Sequence, residues 1–124
     1  MFEWETFLDV AHDLAGQVDN EAALRSAISR AYYAGLGLAH ERLIESGRTM
    51  PRGSIHHHVW RMYAGSTDPR RREIGRLGFM LRNQRNDADY KRLFPLPLPK
   101  TATDAVRFSG DLIALLEELD TEET

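Results

Sequence analysis

"LRSAISRAYYAGLGLAHERL", Leu24 to Leu43, decides the fold. Leu24, Ala27, Ile28, Ala31, Gly35, Leu38 and Ala39 recur every three or four residues, which is one face of a helix and not the alternation of a strand. The pattern predicts a long helix over about 21–46. Ala27, Ala31, Ala34, Gly35, Gly37 and Ala39 make it rich in small residues. A glycine inside a helix costs about 1 kcal/mol relative to alanine. Two of them therefore imply close approach of another backbone, and a place for this helix at the centre of a bundle. Tyr32 and Tyr33 point about 100° apart, so one of them can leave the core.

Outward from this helix the chain reads as helix almost throughout. Trp4, Phe7, Leu8, Ala11 and Leu14 form a first helical stripe that Gly16 ends, and Asp19 or Asn20 caps the long helix. Residues 47–53 form a loop. Ser54 caps a short third helix to about 64, carrying Val59, Trp60 and Tyr63. Asp68 followed by Pro69 is an N-cap with proline at the first helical position, and opens a fourth helix that runs to about Tyr90. The prolines of "FPLPLPK" (94–100) predict an extended strap anchored by Leu96 and Leu98. Thr101 or Thr103 caps a last helix with its stripe at Ala105, Val106, Ser109, Leu112, Ile113, Leu116 and Leu119. No segment alternates with a period of two. The expectation is one all-α domain over residues 1–124, an antiparallel four-helix bundle with an additional short helix and a frayed acidic tail at about 120–124.

The chain has 124 residues, no cysteine and a net charge of −3. Disulfide and thiolate metal chemistry are excluded, and a reducing compartment fits. No apolar run approaches the 18 or so residues of a membrane span, and acids stand near the start where a signal peptide needs bases. A cytoplasmic protein without a membrane segment is expected. The charge is segregated: residues 1–50 carry −4, residues 51–92 carry +6 and residues 93–124 carry −5. A basic middle between acidic flanks implies either an anion-facing surface or charge matching between helices.

The fourth helix holds the candidate site. Ile74, Leu77, Leu81 and Ala88 make its apolar stripe, and Arg85 sits at the edge of that stripe. Arg71, Arg82, Asn86 and Asp89 lie beside Arg85, whereas Arg76, Asn83 and Asp87 lie opposite. A half-buried arginine needs acceptors, and Asp89 four residues on supplies them. Two readings follow: an Arg85–Asp89 pair that closes the bundle edge, or a site that receives an anion such as phosphate, with Asn86 adding hydrogen bonds.

Three stretches together resemble HEPN domains: "AISRAYYA" within the long helix, "SIHHHVW" (54–60) in the short one, and "LRNQRNDADY" (81–90), which is similar to the family signature. The resemblance covers essentially the whole chain. It implies a bundle of four to five helices, usually a homodimer, in which two signatures face each other across a cleft. Many members are metal-independent endoribonucleases acting in toxin–antitoxin or phage-defence systems. Their arginine holds the scissile phosphate, and a histidine five residues later acts on the ribose 2′-hydroxyl. Other members pair with a minimal nucleotidyltransferase or are inactive scaffolds. Carried over, the arginine is Arg85 with Asn86 beside it, and the histidine position falls on Tyr90.

Tyrosine titrates near 10 and is a poor base at neutral pH. The resemblance thus implies a protein that binds RNA or nucleotide phosphate in a dimer cleft, with endoribonuclease activity in question. The alternative it carries is an inactive module partnering a nucleotidyltransferase. Arg85, Asn86, Asp89 and Tyr90 are the candidate catalytic residues, and Arg82, Arg71 and His57 the candidate substrate-binding ones. His56, His57 and His58 are consecutive and cannot share a face, so they predict a polar surface turn and no metal site, with His57 the one placed to reach the cleft. His12 and His40 read as surface residues. No cofactor is expected.

Overall fold

The computed structural model describes residues 1–50 and 52–122. Among them are five helices and no strand: α1 (Thr6–Ala15), α2 (Glu21–Glu45), α3 (Ile55–Ala64), α4 (Pro69–Tyr90) and α5 (Leu98–Glu122). The ends follow from local chemistry. Asn20 caps α2 by accepting from the Ala23 amide at 3.1 Å. Asp68 caps α4 by accepting from the Arg70 amide at 2.9 Å, with Pro69 at the first position. Gly47, at φ +87°, closes α2; its amide bonds Ile44 O while the Arg48 amide reaches back to Leu43 O, a pairing that needs a left-handed residue.

The helices pack as a bundle around one core, to which all five contribute. α2 touches the other four. It is buried around most of its circumference, at Leu24, Ile28, Tyr32, Leu36 and Leu43 as well as at its small residues, so its place at the centre is as expected. The reason for its glycines is different. Gly37 is the seat of the Trp4 indole, which an added Cβ would overlap, and Gly35 faces Leu112 and Ser109 of α5. These are side-chain seats, not backbone approaches. The one glycine pressed on a foreign backbone is Gly75 of α4, whose Cβ position lies 2.5 Å from the Ala64 amide nitrogen of α3. Gly78 in the same helix is the seat of Trp60.

Several expectations are corrected at the ends of elements. Trp4 precedes α1 in a turn. The proline strap is shorter than 94–100, because α5 starts at Leu98 and takes Pro99 into its first turn, where no amide hydrogen is needed. Thr101 and Thr103 are then inside the helix, where their hydroxyls donate back to Pro97 O at 2.8 Å and Pro99 O at 3.1 Å. Leu96 is exposed; Phe94 and Leu98 are the strap residues packed on the core. The acidic tail is helical through Glu122, and residues 123–124 lie outside the described ones, as does Pro51 of the 47–53 loop. Arginines explain the order of the tail. Arg42 Nε donates to both carboxylate oxygens of Asp120, at 3.0 and 2.8 Å. Arg70 reaches Glu122 at 2.6 Å and Glu118 at 3.4 Å while also pairing with Asp68. Part of the basic middle is therefore matched internally by the acidic end. No helix of the described residues is long and apolar enough to cross a membrane.

Candidate anion-binding site

Among the described residues Arg85 is the one buried charged side chain. Only 7% of it is exposed, and its guanidinium lies among three tyrosines, 5.3 Å from the Tyr32 ring centre, 5.5 Å from Tyr33 and 6.0 Å from Tyr90. Consecutive tyrosines on α2 diverge, and this divergence makes the cradle: Tyr32 goes fully into the core and Tyr33 flanks the arginine from the half-buried side. The polar partnering is thin. Asp89 is 3.7 Å away, which is an ion pair but not a hydrogen bond, and that carboxylate also accepts from Ser29 at 3.4 Å. Arg85 Nε is buried with no partner, and so is Nε of Arg82, one turn earlier on the same helix. A buried N–H without an acceptor costs about 1–3 kcal/mol. A structural clamp would satisfy these donors.

A hydrogen-bond chain stands behind the arginines. Trp60 Nε1, which can only donate, gives its hydrogen to the Tyr32 hydroxyl at 3.1 Å, and that hydroxyl lies 3.0 Å from His56 Nδ1. The Tyr32 hydroxyl thus bridges the indole N–H and the imidazole Nδ1, and it can serve either tautomer of His56. Burial lowers the His56 pKa first, and the fields of Arg85 and Arg82 lower it further. Burial also pushes Tyr32 up to about 12, so the phenol stays protonated. The site then holds two guanidinium groups and one imidazole held towards its neutral form. Its one anion is the edge carboxylate of Asp89.

The histidine run thus differs from the surface turn that the sequence suggests. His56 turns inward, with its ring 5.6 Å from Tyr32 and 5.9 Å from Tyr33. His57 points elsewhere and packs edge-on against Phe79, 5.5 Å away. His40 is half-buried, with Nε2 buried and unpartnered. Sequence reasoning had a signal for His56 in its spacing from Val59, Trp60 and Tyr63, the core residues of that helix, which lie three, four and seven positions on. Arg71 stands apart. It lies fourteen residues before Arg85, roughly 21 Å along α4, beside Leu43, Tyr63 and Asp120. Asn86 is half-buried next to Arg85, and Tyr90 is 77% exposed at the end of the helix.

The position of that helix end depends on a residue the sequence did not single out. Arg25 of α2 donates to the carbonyls of Ala88 at 3.0 Å, Lys91 at 2.6 Å and Arg92 at 3.1 Å. These include orphan acceptors of the last turn of α4, which has no basic residue of its own there. Arg25 in turn pairs with Glu21 at 3.2 Å and lies 5.8 Å from the Phe94 ring centre. The turn carrying Asp89 and Tyr90 is thus fixed from α2, the helix that supplies Tyr32 and Tyr33. Among the described residues no group of three or more His, Asp or Glu is placed to hold a metal ion. No protein-family model matches the chain, and no curated protein or solved structure matches it significantly.

Proposed function

We propose that this chain binds the phosphate of RNA or of a nucleotide at the Arg85 face of α4, as a HEPN-like antiparallel bundle acting as a homodimer. One observation carries the reading: Arg85 and Arg82 each keep a buried Nε–H without an acceptor, and both guanidinium groups are close enough to His56 to lower its pKa. Donors held in place with nothing to bond are what a phosphate would satisfy, and the guanidinium geometry suits its oxygens. The dimer belongs to the same reading. Tyr90, Leu93 and Leu96 are 77%, 83% and 55% exposed at and just beyond the end of α4, an apolar surface that a second copy would cover.

Binding without chemistry is the better supported form, and it also suits a module that partners a nucleotidyltransferase. General-base catalysis needs a free lone pair near the 2′-hydroxyl. Tyr90 stands where the family signature has its histidine, and Nδ1 of His56 is engaged by the Tyr32 hydroxyl. The test is a filter-binding titration with single-stranded RNA beside thermal melts, on the parent and on Arg85→Ala. Loss of most binding with the melting temperature within a few degrees is expected, together with steep weakening by salt as phosphate contacts release counterions. A large fall in melting temperature with binding unchanged would reduce Arg85 to a structural clamp.

A further inference from the structure

Next to Arg85 the surface opens into a slot of about 350 Å3, walled by Trp4, Tyr33, Leu36, His40, Ile55 and His56. Tyr33 is common to slot and cation. Tyr33 lies 5.5 Å from the Arg85 guanidinium, and His56 sits against both Tyr32 and Tyr33. The aromatic wall is packed in place on two sides. The Trp4 indole rests flush on Gly37 and is held edge-on by Phe2 at 5.1 Å. The remaining walls are mostly apolar, with two polar exceptions. His40 has a buried Nε2 that bonds nothing, and His56 uses only Nδ1 among the described residues.

This combination makes specific demands. A ligand must present flat apolar faces to Trp4 and Tyr33, a hydrogen-bonding edge to the two imidazoles, and an anion within reach of Arg85 and Arg82. An aliphatic side chain of another protein would leave His40 Nε2 unsatisfied and would make no use of the cations. We infer that the slot receives a single unstacked nucleobase of the nucleotide whose phosphate meets Arg85 and Arg82. The inference rests on the phosphate reading above, and it adds the class of group that lies beyond the phosphate. Base stacking on fixed aromatics is tolerant of sequence, so the slot would discriminate nucleotide from sugar phosphate more than one base from another.

The two readings fail differently in one calorimetric and NMR experiment on the whole chain, with AMP, ribose 5-phosphate and inorganic phosphate as probes. AMP should bind at least about tenfold tighter than ribose 5-phosphate, the order that one stacked base contributes. Ring resonances of Trp4 and His40 should shift with AMP and stay in place with ribose 5-phosphate. Ile55→Trp, which fills the slot from α3, should bring the ratio of the two affinities towards one. Equal affinities for AMP and ribose 5-phosphate in the parent protein would overturn the slot and leave the phosphate site standing. Binding of none of the three probes would remove the phosphate site and the slot with it. Should Ile55→Trp fail to fold, the parent's ratio and ring shifts decide the matter by themselves.

Discussion

Tyr32 shows how one side chain serves both core and site. Its ring is fully buried, its oxygen accepts from Trp60, and its hydroxyl is hydrogen-bonded to His56 Nδ1. Tyr32→Phe keeps the ring and removes the oxygen, leaving the Trp60 N–H buried and unbonded. A loss of about 1–3 kcal/mol in denaturant unfolding is expected. The same change removes the hydrogen-bond partner of His56 Nδ1, and nitrogen-detected NMR of the ring should record the shift. His56 also gives a pH dependence with a definite sign. Its pKa is lower in the folded protein, so below the unfolded value near 6.5 the unfolded chain binds more protons. Stability contributed at neutral pH is therefore lost as pH falls through that value towards the folded pKa. Thermal melts from pH 7.5 to 5 should show a loss that His56→Gln lessens; identical slopes in both proteins would mean that His56 titrates normally.

The elements meet at positions where glycine or arginine does what larger or neutral residues cannot. α3 crosses α4 at Gly75 and Gly78, with Ala64 on the first and Trp60 on the second. Gly75→Ala would push a methyl group into the α3 backbone, which has no rotamer to escape by. Overpacking should cost about 1–3 kcal/mol despite the better helix propensity of alanine, and a melting temperature equal to or above the parent's would contradict the packing. At the other end of α4, Arg25→Met retains the aliphatic stem and removes the donors to Ala88, Lys91 and Arg92. Hydrogen exchange should accelerate in the last turn of α4 and the following strap while the middle of the helix keeps its protection. Unchanged exchange there would show that packing alone fixes this turn.

In the whole molecule, the segregation of charge resolves into two different arrangements. Arg42 and Arg70 pair with Asp120, Glu118 and Glu122 and so fasten the acidic end of α5, whereas Arg82 and Arg85 keep donors unpaired beside the tyrosines. Hydrogen bonds from Arg70 hold the carboxyls of Asp68 and Glu122 below the usual range. Depressed carboxylate pKa values stabilise the fold above the unfolded values near 4 and lose that contribution as pH falls below them. Arg70→Gln should therefore flatten the acid limb of the stability curve below about pH 4.5, as read by thermal melts. Glu122 is exposed and Asp68 only half-buried, so the effect should be small and should shrink further in salt. For assembly, light scattering at micromolar concentration should give twice the mass of one chain, and Leu93→Asp should lower it; a parent mass near one chain would count against the dimer.

Periodicity and end signals determined the helices. The stripe of α2, the Asn20 cap, the Asp68–Pro69 start and the Tyr90 end were legible because they depend on side chains within a turn or two of each other. Arg85 at the margin of its stripe was legible too, since its position on the helix is a matter of local geometry alone. Only the tertiary structure decided what surrounds it. That His56 and not His57 adjoins the arginine depends on how α3 is rotated against α2 and α4; the spacing of His56 from Trp60 marks the buried face of α3 but not what that face meets. The fastening of α4 by Arg25, over sixty residues away, and the seating of Trp4 on Gly37 depend on the crossing of helices, because each contact joins groups that approach each other only when separate elements bury their apolar faces together.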